Sequence, residues 1–560
     1  MTRANPDQKV IYGTPVVEGI AYGPVAWTRR PPIPDLSAPD LPETARDEAR
    51  QQFTAAADAV VEHLLERAAA SDGHAAALLE VTASIASDPA WRKDALRRIS
   101  RGTPPVQATM GATDQFVTQF ERAGGILAER TTDLRDVRDR VIARLEGRPE
   151  PGIPHPEHPV VLFADDLTPA DTAGLDPSMY LALVTELGGP TSHTSIIARQ
   201  LGLPCIVAAR RIDEVEEDTH VLIDGQRGTI TLGVDEKTAR KRLTVDRERR
   251  ALIESWTPPA RLKDGRDFEL LANVRDGETA REARNAGAAG IGLLRTELCF
   301  LNAHAEPSVK KQRAIYEPAL QAFADSKVII RTLDAGSDKP VPYATLAEEA
   351  NPALGVRGLR TSGHNPHLLL HQLDAIAEAA TSCGHEKTLV MAPMISTLPE
   401  AEWFAGLVRE RGMSPGIMVE VPSVAVLAEQ FMDLVDFVSI GTNDLTQYTM
   451  AADRLSPDLA EYSDPWQPGA LALINRTAEA GRATGTPVGV CGEAAADPLL
   501  ACVLVGMGVT SLSVTPSALK AVGAQLSQVT LEECQHAARS VLGAWDQGDA
   551  RYRARKELGI

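Results

Sequence analysis

The sequence Phe437-Val-Ser-Ile-Gly-Thr-Asn-Asp-Leu445 is a short apolar run that ends in an amide and a carboxylate. Similar runs, separated by segments with helical periodicity, recur through residues 260–560: Glu269–Val274, Gly290–Glu297, Lys327–Asp334, Thr388–Ile395, Gly416–Pro422, Pro487–Glu493 and Ser511–Thr515. Short strands that alternate with helices are typical of a parallel sheet. Eight such strands predict a (β/α)8 barrel.

The ends of these runs carry polar side chains, and in a (β/α)8 barrel the chemistry lies at the carboxyl ends of the strands. The candidates are Arg295, Arg331, Glu420, Asn443, Asp444 and Cys491, with Arg454 soon after the sixth run. An arginine or glutamate at a strand end is by itself more often a solvated charge or a salt-bridge partner. Together, the guanidinium groups suit phosphate and carboxylate, and Glu420 and Asp444 suit Mg²⁺. The set predicts a pocket for a small substrate that bears both anionic groups.

A second candidate site is a histidine in the stretch Glu186-Leu-Gly-Gly-Pro-Thr-Ser-His-Thr-Ser-Ile-Ile-Ala-Arg199. The Gly-Gly-Pro segment predicts a turn, and Thr191 and Ser192 are both good N-cap residues for a helix that follows. His193 would then lie at a helix N-terminus, where backbone N–H groups favour an anion. A neutral imidazole is also a nucleophile that can carry a group covalently. The alternative is that this histidine only caps or packs the turn.

The rest of the chain divides into segments that differ in amino-acid composition and in predicted secondary structure. Apolar extended pieces in residues 10–27 and 159–224 predict one α/β domain made of residues 1–28 and 150–234, which carries His193. Residues 29–149 are rich in Ala, Glu, Arg and Leu and predict an inserted helical bundle. A charged helix over 235–259 predicts a linker to the barrel domain, residues 260–560. The predicted fold class is therefore multidomain α/β, with the barrel at the C-terminus.

Bulk properties exclude several classes of protein. The 560 residues have a net charge of −19, which disfavours non-specific binding to nucleic acid. The six cysteines lie far apart without a C-x-x-C pair, which predicts reduced thiols and a cytoplasmic location. No signal peptide is visible near Met1. The sequence also contains no run of about 18 apolar residues, so no membrane-spanning helix is predicted.

The motifs, taken together, resemble the Enzyme I family of the bacterial phosphoenolpyruvate:sugar phosphotransferase system. The resemblance rests on the histidine stretch and on the barrel segments Gly292-Leu-Leu-Arg-Thr-Glu297, Gly416-Ile-Met-Val-Glu420, Ser439-Ile-Gly-Thr-Asn-Asp-Leu-Thr-Gln-Tyr448, Ala451-Ala-Asp-Arg454 and Cys491-Gly-Glu493. It extends from Gly13 to about Pro516 and implies a swivelling phosphohistidine domain with an inserted bundle, followed by a phosphoenolpyruvate-binding barrel.

The resemblance also implies roles for individual residues. His193 would take the phosphoryl group from phosphoenolpyruvate, and Cys491 would protonate the enolate to give pyruvate. Glu420 and Asp444 would bind Mg²⁺. The substrate would be held by Arg295, Arg331, Asn443, Asp444 and Arg454. The implied partners are the carrier HPr, bound by the helical bundle, and a second copy of the chain, bound through the barrel.

Four positions depart from the family pattern, and two alternatives to it remain. The departures are Pro190 and Asp374, where arginine is usual, Gln467, where histidine is common, and Ala496, where glycine is common. A phosphoenolpyruvate synthase or dikinase shares the histidine and barrel modules, but it needs a nucleotide-binding domain for which this chain has no room. The second alternative is a non-catalytic, phosphoenolpyruvate-sensing regulator.

Overall fold

The computed structural model describes residues 9–28, 34, 37–69, 73–123, 131–148, 150–154, 156–167, 175–189, 192–301, 303, 305–335, 341, 343–345, 349, 351–456 and 459–560. The chain divides into two compact units, Met1–Arg249 and Arg250–Ile560. Within these described ranges, no helix combines the length and the apolar character needed to cross a membrane.

The first unit contains an eight-stranded sheet in the order β1-β8-β7-β3-β4-β5-β6-β2. Its strands are β1 Val10–Tyr12, β2 Thr14–Val17, β3 Ile20–Thr28, β4 Val160–Ala164, β5 Tyr180–Thr185, β6 Cys205–Val207, β7 His220–Asp224 and β8 Thr229–Leu232. Strands β3 to β6 are parallel, and the flanking strands are antiparallel. A tight turn joins β7 to β8: the Asp224 carboxylate accepts the Arg227 N–H at 3.0 Å, and Gly228 has a φ of +64°.

A helical bundle is inserted between β3 and β4, which pair directly and in parallel. In the described part of the insertion its helices are α1 Arg46–Ala69, α2 Gly73–Ala86, α3 Pro89–Ser100, α4 Pro105–Ala123 and α5 Thr131–Leu145. Phe53, Val60, Leu64, Trp91 and Val137 lie in one buried cluster, as their helical spacing requires. Because strands from both sides of the bundle share one sheet, the predicted insertion is confirmed.

In the described residues of this unit, two further α-helices accompany the sheet, α6 His193–Leu201 and α7 Glu236–Ser255. Ile197 and Ala198 of α6 are buried in the cluster that covers one face of the sheet. Helix α7 is the predicted charged helix. Its Ala239 is buried against the sheet unit, and its Asp246 accepts the N–H of Ile20 at 3.3 Å. The amino-terminal part of α7 is thus docked on the sheet.

The second unit is a closed barrel of eight parallel strands. The strands are β9 Glu269–Val274, β10 Ile291–Leu294, β11 Val328–Arg331, β12 Thr388–Ala392, β13 Ser414–Val419, β14 Phe437–Ile440, β15 Val488–Val490 and β16 Ser511–Val514. Seven of them lie within predicted runs, and β13 begins two residues before its run, Gly416–Pro422, so the barrel prediction is confirmed. Strand β16 pairs with β9 and closes the ring.

Helices cover the outside of the barrel. In the described ranges they are α8 Gly277–Asn285, α9 Glu297–Leu301, α10 Val309–Ala322, α11 Pro366–Cys383, α12 Leu398–Arg409, α13 Pro422–Val426, α14 Ala428–Met432, α15 Thr442–Met450, α16 Pro468–Thr484, α17 Pro498–Met507, α18 Leu519–Leu526, α19 Leu531–Leu542 and α20 Gln547–Leu558. Their apolar faces and the outward side chains of the strands form one large buried cluster. The carboxyl ends of the strands are left as the open mouth where polar side chains converge.

Candidate active site

A cavity of about 420 Å³ opens at the carboxyl ends of the barrel strands. It is lined by all of the polar residues predicted for the barrel, namely Arg295, Arg331, Glu420, Asn443, Asp444, Arg454 and Cys491. The side chains of Asp334 and Arg357 also line it. Parallel strands bring residues far apart in sequence to one rim, which explains why strand-end residues meet here.

Arg331, the last residue of β11, is held among carboxylates. Its Nη2 donates to Glu297 Oε1 at 2.6 Å, and its Nη1 lies 3.3 Å from Asp334 Oδ2 and 3.9 Å from Glu420 Oε1. Burial alone lowers the pKa of Arg331, but the charges of these carboxylates outweigh it and the pKa is raised. The Nε of this buried side chain has no hydrogen-bond partner among the described residues. This N–H is therefore a buried donor without a partner in the described structure.

The sequence patterns did not identify Arg357 as a candidate, although this residue lines the same cavity. Its guanidinium binds Asp334 with two contacts, of 2.9 and 3.3 Å, and donates to Asp444 Oδ1 at 2.8 Å. The residue belongs to the loop segment Gly355-Val-Arg-Gly-Leu-Arg360, far beyond the end of β11. A search for polar residues at strand ends does not reach it. The available sequence signal is that Arg357 lies between Gly355 and Gly358. The second glycine fixes the position of the arginine, because Gly358 has a φ of +57° and is packed against Met394.

Glu420 follows β13 and is 1 % exposed. One oxygen accepts the Met394 N–H at 2.9 Å. Burial, followed by the nearby charges of Asp444 and Asp334, raises the pKa of Glu420 to about 8. The cations of Arg331 and Arg357 counteract these effects only in part. A further cation next to Glu420 would therefore stabilise the ionised form of this carboxyl group.

The donor set of the cavity fits Mg²⁺. Glu420 and Asp444 could supply two oxygen ligands, and among the described residues no group of three or more His, Cys, Asp or Glu forms a complete metal cage. Mg²⁺ is commonly bound by one or two carboxylates, with water and substrate oxygens in the other positions. A carboxyl that burial and like charges keep protonated gains from a divalent cation beside it.

Asn443 and Arg454 flank Asp444 on and beyond α15. The Asn443 Oδ1 accepts the backbone N–H of Glu493 at 3.0 Å, so the amide is oriented by the loop that follows β15. Arg454 Nη1 lies 3.5 Å from Asp444 Oδ2, and about a quarter of its side chain is exposed. Arg454 is therefore partly open to solvent, whereas Arg331 and Arg357 are buried.

Cys491 follows β15 on the floor of the cavity. It is 3 % exposed, and its Sγ lies 3.6 Å from the carbonyl oxygen of Ile440. Burial raises the pKa of this thiol to about 11, and a hydrogen bond with Ser439 opposes the rise. The sulfur is consequently a protonated thiol at neutral pH, which is the form that a proton donor requires.

The described part of the histidine stretch follows β5 in the first compact unit and contains the start of helix α6. Ser192 is the N-cap of α6, and its Oγ accepts the Ser195 N–H at 3.3 Å. His193 is the first helical residue, and the helix ends at Gly202 with a φ of +66°. Pro190, Thr191 and the His193 side chain lie outside the described residues. The predicted placement of His193 at a helix N-terminus is confirmed.

Three family models match the chain: an N-terminal model of PEP-utilising enzymes over residues 12–130, their mobile domain over 156–228 and their PEP-binding domain over 250–531. The chain is also 43% identical over 556 residues to the phosphoenolpyruvate-protein phosphotransferase of Streptomyces coelicolor, with 98% of this chain and 99% of that protein aligned. The chain belongs to the phosphoenolpyruvate-protein phosphotransferase family. It is an enzyme, and family membership confirms the predicted relationship to Enzyme I.

Other relatives of the family agree with this assignment. A phosphoenolpyruvate-protein phosphotransferase of Haloferax volcanii is 36% identical over 96% of this chain and 97% of its own length. A multiphosphoryl transfer protein of Rhodobacter capsulatus is 42% identical over 76% of this chain and 53% of its own length. The mobile-domain match contains His193, and the PEP-binding match contains all of the cavity residues.

The departures from the family pattern have local structural accounts where the structure describes them. Asp374, in place of the usual arginine, accepts from Arg411 Nε at 2.7 Å, so its charge is paired within the barrel unit. Gln467, in place of histidine, is buried and donates to the Glu461 carbonyl at 2.9 Å. Ala496 ends the short helical turn after Glu493. The departures at these positions remove no residue that lines the cavity.

Proposed function

We propose that the chain transfers the phosphoryl group of phosphoenolpyruvate to His193 and then to a histidine of the carrier HPr. In the first step a bond forms between an imidazole nitrogen of His193 and phosphorus, and the bond from phosphorus to the enol oxygen breaks. The released enolate takes a proton at carbon and leaves as pyruvate. The observation that carries this proposal is the single cavity in which arginines, carboxylates, an amide and a thiol line one rim.

In this proposal the arginines bind the two anionic groups of the substrate. Arg331 and Arg295 line the cavity at the ends of the neighbouring strands β11 and β10. Arg454 and Asn443 approach from the opposite side of the rim. Guanidinium groups bind phosphate and carboxylate through paired hydrogen bonds. Their fixed donors hold the phosphoryl group in place as its charge is redistributed during transfer.

Glu420 and Asp444 would hold Mg²⁺ beside this substrate. The bound ion supplies positive charge that offsets the charge of the phosphoryl oxygens. Arg357 holds Asp444 Oδ1 at 2.8 Å and so sets the direction in which that carboxylate faces the cavity. Asp444 would thus lie in contact with the substrate and also bind the metal.

Cys491 would donate the proton that converts the enolate into pyruvate. Its raised pKa keeps the thiol protonated at neutral pH, and its place among the cavity residues brings it to the substrate. After the proton leaves, the thiolate is disfavoured by the same burial. It therefore regains a proton from solvent before the next cycle.

His193 would act by moving between donor and carrier. In-line transfer requires the histidine nitrogen to approach phosphorus to within roughly 3–3.5 Å, and the same nitrogen must later meet the histidine of HPr. We therefore propose that the domain carrying His193, residues 1–28 and 150–234, swivels about the segment 235–259. A cross-link that locks this segment should block phosphorylation of His193 and leave binding of phosphoenolpyruvate unchanged. Normal phosphorylation in the locked protein would contradict the hinge.

The partners belong to the same proposal. HPr would dock on the helical bundle, residues 29–149, and the barrel domain, residues 260–560, would form a homodimer, as the family resemblance implies. The name of the Rhodobacter capsulatus relative, a multiphosphoryl transfer protein, supports a chain of phosphoryl carriers. The cysteines are free thiols in the structure, which supports a reducing compartment and hence the cytoplasm.

The test is incubation of the full chain with ³²P-labelled phosphoenolpyruvate and Mg²⁺ in the absence of nucleotide. Label on the wild-type protein that is absent from His193→Ala, and that passes to added HPr, supports the proposal. Arg331→Lys is a second test variant that keeps the positive charge. It should reduce labelling at low concentrations of phosphoenolpyruvate, because a lysine cannot provide the paired N–H donors of a guanidinium group. A requirement for ATP would favour a synthase or dikinase. Tight binding of phosphoenolpyruvate without any label would favour a non-catalytic regulator.

A further inference from the structure

A buried polar network lies behind the rim of the barrel, between helices α10 and α11. Its centre is Gln372 of α11, which is 1 % exposed. Gln372 Nε2 donates to Thr296 Oγ1 at 3.1 Å and to Tyr316 OH at 3.2 Å, and its Oε1 accepts the Leu333 N–H at 2.9 Å. Thr296 Oγ1 in turn donates to the Arg331 carbonyl at 2.9 Å. Burial of so many polar groups costs free energy unless each finds a partner, as these do.

The direction of every hydrogen bond in the network is determined. The Leu333 N–H can only donate, and the Arg331 carbonyl can only accept. Thr296 therefore uses its proton on Arg331 and must accept from Gln372. An amide is the side chain that can accept from Leu333 and still donate to Thr296. A glutamate would lack the donors, and an apolar residue of similar length would lack both functions.

The positions that this network holds are those of the substrate-binding residues. Thr296 lies between Arg295, a cavity residue, and Glu297, whose carboxylate binds Arg331 Nη2 at 2.6 Å. Its hydroxyl binds the backbone of Arg331 itself. Gln372 also holds Leu333, immediately before Asp334, through the backbone. One buried amide thus connects the carboxyl ends of β10 and β11, where two arginines of the cavity lie.

We propose that Gln372 and Thr296 are positioning residues that align Arg295 and Arg331 for the anionic substrate. This inference rests on the proposed function, since it assumes that these arginines bind phosphoenolpyruvate. Gln372 does not line the cavity and acts through Thr296 and the backbone. Loss of the amide frees the ends of β10 and β11 to shift relative to each other. Because guanidinium hydrogen bonds are directional, a small shift weakens substrate binding more than it weakens the fold.

The test uses full-length Gln372→Met, which preserves side-chain length, and measures the KM for phosphoenolpyruvate and the kcat for pyruvate release. A charge-assisted hydrogen bond corresponds to roughly tenfold or more in affinity, so we expect KM to rise about tenfold. We expect kcat to change by less than about threefold, because the phosphoryl acceptor and the proton donor are unchanged. Thr296→Val should have the same effect, and Thr296→Ser, which retains the hydroxyl, should restore the wild-type KM.

The matched control is Tyr316→Phe. It removes the outer hydroxyl of the network and lowers the urea midpoint, but it leaves the contacts of Gln372 with Thr296 and Leu333. Its KM should stay within about twofold of wild type if the inner contacts are what align the arginines. Equal KM values for Gln372→Met, Thr296→Val and Tyr316→Phe would overturn the inference. If Gln372→Met does not fold, Thr296→Val and its serine counterpart decide the question.

The positioning inference and the proposed function fail in different ways. If the wild-type protein is not labelled by phosphoenolpyruvate, the proposed function is wrong. If the wild-type protein is labelled and Arg331→Lys raises KM, but Gln372→Met and Thr296→Val do not, only the positioning role is wrong.

Discussion

The ionisation of Glu420 leads to a quantitative prediction about metal binding. Burial and the charges of Asp444 and Asp334 raise its pKa from an ordinary value of 4.5 to about 8. A carboxyl that binds Mg²⁺ must be ionised, so the metal has to displace a proton at neutral pH. With this pKa, roughly a tenth of the Glu420 side chains are ionised at pH 7 and roughly nine-tenths at pH 9. The apparent association constant for Mg²⁺ should therefore rise about tenfold per pH unit up to about pH 8 and then level off.

The same shift predicts how pH affects the metal-free fold. A folded-state pKa above the unfolded value of 4.5 means that the folded protein holds this proton more tightly. The resulting stability is fully present below the unfolded pKa and is lost as the pH rises through about 8. Added Mg²⁺ should oppose this alkaline loss, because the ion stabilises the ionised form.

The assay is isothermal titration calorimetry with Mg²⁺, in pairs of buffers that differ in their enthalpy of protonation. It should give about 0.9 protons released per ion at pH 7 and about 0.1 at pH 9. Glu420→Gln should abolish the proton release and most of the affinity. Asp334→Asn removes one of the like charges and should move the midpoint of proton release to lower pH.

Two results would refute this reasoning. The first is a wild-type affinity for Mg²⁺ that does not change between pH 6 and pH 9. The second is proton release at pH 7 that is the same in the wild type and in Glu420→Gln. Either result would mean that Glu420 is already ionised before the metal binds, or that it is not a ligand.

Three further predictions concern other described residues. Arg357→Met removes the cation that joins the buried carboxylates of Asp334 and Asp444, which keep only the longer contacts with Arg331 and Arg454, and it should lower the free energy of unfolding by about 3 kcal/mol in urea denaturation at pH 7; an equal loss in Arg357→Lys, which keeps the charge, would contradict this account. Cys491→Ala should slow pyruvate release by roughly 10²-fold or more while the affinity for phosphoenolpyruvate, measured by calorimetry, is retained; release at the wild-type rate would exclude the thiol as the proton donor. Ser192→Ala should destabilise helix α6 by about 1 kcal/mol, and Ser192→Gly should destabilise it by only a few tenths of a kcal/mol. Hydrogen exchange of the α6 amides measures these differences. Identical exchange in the wild type and in Ser192→Ala would show that the cap contributes nothing.

Sequence patterns predicted most of the fold because the relevant physics is local. Each barrel strand is a short apolar run bounded by turn residues, and a buried parallel strand needs no partner-specific signal to be recognised. Position along such a run also identifies the residues at its carboxyl end. Arg295, Arg331 and Glu420 could therefore be assigned to one rim before any coordinates were known. Thr191 and Ser192 likewise predicted a helix start near His193, and the structure has Ser192 as the N-cap of α6.

The sequence by itself thus determined the strands, the helix that begins at His193 and the kinds of group at the barrel mouth, since these depend on neighbours a few residues away. Only the tertiary structure decided which charges meet. Arg357 joins Asp334 and Asp444, which are 23 and 87 positions away along the chain, and Gln372 joins Thr296 across 76. Contacts of this range, and the pKa of Glu420 that follows from them, depend on how the closed barrel removes water from facing side chains. No local pattern records that arrangement.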